Sequence, residues 1–144
     1  MANLGVIAII YDIAKDGKYH FLILHRSFVW NGWEFLKGKQ LDNETTEEAV
    51  LKKVRLSTQL NKLSIEKKLT HKRQFLHKGR LYVYEVFVIK GDMNEEIDIS
   101  EEVTEHDRYA WTLFPEVIDK LYWDAEKRDV INFMKCADSL CPKK

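Results

Sequence analysis

Nine consecutive residues, Leu81-Tyr82-Val83-Tyr84-Glu85-Val86-Phe87-Val88-Ile89, are β-branched or aromatic at every position but Leu81 and Glu85. Such residues suit a pleated, packed surface, and this is the strongest strand signal in the chain. Any fold must therefore build a sheet around it. Leu69–Leu76 is a second extended segment, and Lys78-Gly79-Arg80 between the two supplies the turn of a hairpin. An earlier hairpin is predicted from Leu4–Tyr11 and Tyr19–His25, joined at Asp16-Gly17-Lys18. Arg108–Leu113 reads as a further strand.

Helical signals alternate with these. Thr45 followed by Glu48 fits a capping box, so a helix should open there and run to about Gln59. Ala49, Val50, Val54 and Leu51 are its inward positions. Pro115 is placed to start a short helix over Glu116–Leu121. Asp124–Leu140 carries Val130, Ile131, Phe133, Met134 and Ala137 at helical spacing, which predicts a final amphipathic helix on the sheet. Phe28–Asn43 reads as a loop, and Asp92–Glu105 as an acidic loop with one short extended piece. Strands mixed with about three helices imply one layered α/β domain over residues 1–144.

Lys plus Arg and Asp plus Glu both number 23, a net charge of zero, so no global basic field favours nucleic acid or a membrane surface. Lys52–Arg55 and Lys72–Arg73 are the local basic patches. The apolar runs Val6–Tyr11 and Tyr19–Leu24 are too short to span a bilayer. Met1-Ala2-Asn3 has no charged, apolar leader, and the expected compartment is the cytoplasm. Cys136 and Cys141, the two cysteines, are expected to be a reduced pair.

One stretch carries chemistry. Gly38 and Glu44 are followed by Lys52, Lys53, Val54, Leu56, Ser57, Gln59 and Leu60. This spacing resembles the Nudix box, G-x5-E-x7-R-E-U-x-E-E-x-G-U with U aliphatic. Gly38, Glu44, Val54 and Leu60 match it, and Lys52 stands for the arginine. Lys53, Leu56 and Ser57 stand where metal-binding glutamates belong. Leu24-His25-Arg26-Ser27, then Trp33-Glu34-Phe35-Leu36-Lys37-Gly38, is similar to the strand and loop of the asymmetric diadenosine tetraphosphate hydrolases within that family. Glu105-His106-Asp107-Arg108-Tyr109-Ala110-Trp111 resembles their late E-H-x-x-[YF]-x-W segment. The resemblance spans roughly Gly5 to Leu140, and it implies a Nudix fold: an α/β/α sandwich with a mixed central sheet.

The family's reaction is attack of water on a phosphoanhydride, assisted by Mg²⁺ held on helix glutamates. Here that helix face presents an ammonium, a butyl chain and a hydroxyl. The resemblance therefore implies a protein that binds a nucleotide or dinucleoside polyphosphate, with Mg²⁺-dependent hydrolysis impaired or lost. No metal ligand is assigned, and Mg²⁺ enters as cofactor only if activity survives. In that case Glu44 and Glu105, with Glu101 and Glu102, are the candidate catalytic carboxylates, although Glu47 and Glu48 also suit a helix N-terminus. Arg26, Lys37, Gly38, Lys52, Lys53 and His106 are candidate phosphate contacts, with Arg55 beside them. A lone loop histidine such as His106 is ordinarily exposed. Tyr82 and Tyr84, on one strand face at period two, are candidate platforms for a base. A protein partner at Trp30, Phe28 and the C-terminal helix is the alternative to a ligand, with the cleft then vestigial.

Overall fold

Strand β1 (Asn3–Ile13) is the spine of the sheet, because it is bonded on both sides and packed on both faces. The computed structural model describes residues 3–27, 30–100 and 105–137. After β1 come β2 (Tyr19–Arg26), β3 (Gly32–Glu34), β4 (Leu36–Lys39), α1 (Thr46–Thr58), β5 (Ser64–His77), β6 (Arg80–Lys90), β7 (Arg108–Leu113), α2 (Glu116–Lys120) and α3 (Asp124–Lys135). The strands run β3-β2-β1-β6-β5 across the sheet, with β4 on β1 and β7 on β2. β1 and β6 are parallel, from Asn3↔Tyr82 to Tyr11↔Lys90, and the other pairs are antiparallel. The sheet is thus mixed, as expected.

Alternation along β1 divides the core. Val6, Ala8 and Ile10 face α1, where Ala49, Val50, Val54 and Leu60 meet Leu22, Leu24, Leu36, Phe87 and Ile89. Ile7, Ile9 and Tyr11 face the opposite layer, with Phe21, Phe35, Val86 and Val88 under Val117, Leu121, Val130 and Met134 of α2 and α3. Phe133 completes that layer by packing its ring on Tyr11, Tyr19 and Phe21. Helices therefore cover both faces.

Two sequence expectations fail here. Phe28–Asn43 is not all loop, since Gly32–Glu34 pairs with β2 and Leu36–Lys39 with β1. These strands of three and four residues rely on the long strands beside them, not on their own composition. Residues 92–100 are turns and irregular chain, as expected of the acidic loop, and residues 101–104 of the expected span lie outside the described residues. The final helix is described as α-helix to Lys135, and its expected end at Leu140 lies outside the described residues. Cys136 is disulfide-bonded rather than reduced. Compartment decides whether such a bond persists, but local proximity decides whether it can form, and composition informs only the first. No helix among the described residues is long and apolar enough to cross a membrane.

Helix α1 begins where its cap dictates. Thr45 Oγ1 accepts from the Glu48 backbone N–H at 3.0 Å, and Glu48 Oε1 accepts from the Thr45 N–H at 2.9 Å. Gln59, in the left-handed region at φ 69°, ends it. Thr45→Ala removes one side of the box and is expected to lower unfolding stability by about 1 kcal/mol, read from chemical denaturation.

Candidate functional site

On the α1 face, Lys53 lies across Gly38: a Cβ at position 38 would sit 2.9 Å from Lys53 Cγ. The Lys53 ammonium is 3.6 Å from Glu105 Oε1. Leu56 is 60% exposed, whereas Ser57 is buried in the helix interface. Glu44 accepts from the Leu41 N–H at 2.7 Å and from Lys52 Nζ at 2.8 Å. Those two bonds, the Lys52 one foremost, hold its carboxyl below the usual range. Glu48 serves the cap, and Glu47 lies 3.9 Å from Lys68.

Magnesium needs several hard oxygens in a near-octahedral array. Among the described residues no three His, Cys, Asp or Glu side chains gather as such a set. Glu44 and Glu105 are each held by a lysine, and they are held by different ones. These residues do not fit the ion. Glu101 and Glu102 lie outside the described residues.

The opposite face is built around Glu34, which stands in the sequence only as one residue of the Trp33–Gly38 motif. Its side chain is 1% exposed. Oε1 accepts from Lys37 Nζ at 2.9 Å and Trp123 Nε1 at 3.1 Å. Oε2 accepts from Arg26 Nε at 3.1 Å and meets His106 Nε2 at 2.9 Å. Burial alone would raise this carboxyl. The His106 bond, the Lys37 charge and bond, and the Arg26 charge outweigh it and pull the pKa down to about 2. His106 is therefore not an exposed loop residue. It is 3% exposed, because its nitrogen has a carboxylate to meet inside.

Above Glu34 opens a cavity of about 770 Å³. Arg26, Lys37 and Arg73 bring three cations to its wall, and Trp30, Phe75, Tyr122 and Trp123 bring aromatic rings. The rings are ordered by one another. Trp30 packs on Tyr122 and Trp123 with centroids 4.5 and 5.2 Å apart, while Arg26 lies over Trp30 and Lys37 over Trp123. Phe75 stacks on Tyr82 at 5.3 Å and on Tyr84 at 5.6 Å. Tyr84 lies over Gly5, where a Cβ would be 2.7 Å from its ring.

The structure thus gathers Arg26 and Lys37 at one cavity and links Tyr82 and Tyr84 to it through Phe75. Gly38 and Lys53 lie together on the α1 face with Glu105, and Lys52 is turned to Glu44. His106 lies beneath, on Glu34. Trp30 packs on Tyr122 and Trp123, and Phe28 lies outside the described residues. Phe75 and Trp123 carry no local sequence signal of a site, and Arg73 stands out in the sequence only as part of the Lys72–Arg73 basic patch.

Glu126 of α3 lies behind this wall. It is wholly buried, its Oε1 accepts from the Phe35 N–H at 3.2 Å, and its Oε2 has no hydrogen-bond partner among the described residues. Burial pushes its pKa up to about 7, with Glu34 adding to the rise and Lys37, the Phe35 bond and Arg73 opposing it.

A family model described as the NUDIX domain matches residues 1–133. The chain belongs to the Nudix family. Its α/β/α arrangement is the Nudix fold. An Ap4A hydrolase from C. elegans, solved as a binary complex, is similar at TM-score 0.74 and 19% identity, covering 93% of this chain and 98% of that one. The Nudix hydrolase RenU from M. smegmatis gives 0.74 at 16%, over 96% and 88%. The NUDIX domain of Shewanella oneidensis NrtR, complexed with ADP ribose, gives 0.68 at 14%, over 94% and 87%. Identities this low establish a shared fold. No curated protein matches the chain.

Glu34 and Glu126, two of the buried carboxylates of this Nudix domain, make pH predictions of opposite sign. Glu34 has a depressed pKa, so its contribution is present above about pH 4.5 and is lost as pH falls toward about 2. Glu126 has a raised one. The folded protein then binds more protons between about pH 4.5 and 7, and stability falls as pH rises through that window. Denaturation midpoints measured from pH 5 to 8 should show this slope, a few kcal/mol in total, and Glu126→Gln should flatten it.

Proposed function

We propose that this chain is a Nudix-fold protein that binds a nucleotide or dinucleoside polyphosphate, with Mg²⁺-dependent pyrophosphate hydrolysis lost or strongly reduced. The observation that carries the reading is the cavity where Arg26, Lys37 and Arg73 meet Trp30, Phe75, Tyr122 and Trp123. Guanidinium and ammonium groups grip phosphate oxygens, and flat rings stack on a base. A ligand with both features matches the wall better than either feature alone would require. The fold's relatives support the same class: one is an Ap4A hydrolase and another was complexed with ADP ribose.

Loss of hydrolysis follows from Lys53. A divalent ion beside Gly38 would face an ammonium where its ligand should be, and Glu105 already balances that ammonium. At a few ångströms such repulsion is worth several kcal/mol even in a partly wet site. Metal-free binding at the wall formed by Arg26, Lys37 and Arg73 avoids it.

Calorimetric titration with diadenosine tetraphosphate, ATP and ADP-ribose tests the reading. Binding should be seen for at least one, with the same affinity in the presence and absence of Mg²⁺. Arg26→Gln or Lys37→Gln should weaken it by about tenfold. Phe75→Ala should weaken nucleotides while leaving inorganic pyrophosphate unchanged. Product chromatography should show little or no turnover. Rapid Mg²⁺-dependent cleavage that Glu44→Gln or Glu105→Gln abolishes would instead establish a working hydrolase with relocated carboxylates, and binding of none of the three ligands would remove the proposal.

A further inference from the structure

A second groove of about 520 Å³ runs along the seam between β5 and α3, lined by His71, Arg73 and Gln74 from the strand and Ala125, Arg128 and Asn132 from the helix. Arg73, Gln74 and Ala125 also line the main cavity, so the two spaces adjoin along a shared wall. The helix residues 125, 128, 129 and 132 fall at spacings that place them on one face.

The charge of this groove is one-sided where solvent reaches it. Asp129 is its one lining carboxylate, but its side chain is 4% exposed. Its oxygens are taken by His71 Nε2 at 3.0 Å and by the Arg73 guanidinium. Arg128 is exposed and makes no ion pair among the described residues. Unlike the main cavity, the groove has no Phe, Tyr or Trp ring in its lining, and its one imidazole, His71, is bonded to Asp129. Its chemistry is therefore that of a phosphate or sugar contact, not of a base.

We propose that the β5–α3 groove holds a second phosphate group of the ligand bound in the main cavity, gripped by Arg128 with the amides of Gln74 and Asn132. The inference rests on the nucleotide reading above and narrows it to ligands with phosphate at two separated places. That phosphate can come from the far end of a long polyphosphate chain or from the 3′ side of the sugar.

Matched pairs of ligands separate these sources. Wild type and Arg128→Gln are titrated calorimetrically with ADP against adenosine 3′,5′-bisphosphate, and with ATP against adenosine 5′-tetraphosphate. Wild type should bind the bisphosphate or the tetraphosphate about tenfold more tightly than its partner, and Arg128→Gln should erase that preference while keeping the affinity for ADP and ATP. A gain for the bisphosphate assigns the groove to a 3′-phosphate, and a gain for the tetraphosphate assigns it to a chain end. Arg128→Glu, also at an exposed position, should reverse the preference. If ADP and ATP bind but neither partner ligand gains, or if the preference survives in Arg128→Gln, the groove is not a phosphate site. If no nucleotide binds at all, the underlying reading falls and this inference with it.

Discussion

One buried carboxylate organises the cavity side of this molecule. Glu34 takes donors from β2, β4, the segment before β7 and the start of α3, through Arg26, Lys37, His106 and Trp123. Burying a charge costs several kcal/mol unless its lone pairs are filled, and here both oxygens have two partners. The consequence is geometric. Arg26 and Lys37 are each fixed at one end of the cavity wall, and the Trp123 ring is turned so that its nitrogen points inward. Removing the carboxylate would leave Arg26 and Lys37 held only by the Trp30 and Trp123 rings, and the Trp123 nitrogen without its acceptor.

On the other side of the sheet, the packing of helix α1 is separate from the side chains it presents around Gly38. Helix α1 is held by Ala49, Val50 and Val54 in the core and by its capping box at the front. The positions that differ from the family pattern, Lys53 and Leu56, lie outside that buried set, and Ser57 is small enough to sit within it. Packing and chemistry thus use different faces of the same helix. A change at the chemical face alters what the site can attract, while the scaffold pays little. Lys53 even gains contacts, because Gly38 offers it a flat backbone to lie on and Glu105 offers it a charge.

The same division explains what could be read without coordinates. Helix α1, β6, β7 and both hairpins follow from local signals, namely the Thr45–Glu48 box, the β-branched run and the Lys78-Gly79 turn. β3 and β4 do not, since strands this short are specified by the neighbours they pair with. Arg26 and Lys37 were recognisable from the loop motif they flank. Glu34 sits in the middle of that motif, yet its partners lie 72 and 89 residues away in His106 and Trp123, so its role is a property of the tertiary structure. Phe75 and Asp129 are invisible for the same reason: each acquires its function from a ring or a cation on another element.

Glu34 and Glu126 show how finely that tertiary setting works. Both are buried carboxylates on the same side of the sheet, joined through the Glu34–Phe35 backbone, yet one titrates near 2 and the other near 7. Burial raises both. His106, Lys37 and Arg26 reverse the rise for Glu34, whereas the Phe35 N–H with the more distant Lys37 and Arg73 charges does not reverse it for Glu126. Below about pH 7 the second carboxyl is then neutral, so Lys37 and Arg73 answer to fewer anions than the count of acidic residues suggests. The cavity keeps a positive wall because its three cations share only two acids, Arg26 and Lys37 on Glu34 and Arg73 on Asp129. A phosphate group approaching it meets donors that are held in position but not fully neutralised, which is the electrostatic condition for binding an anion without a metal.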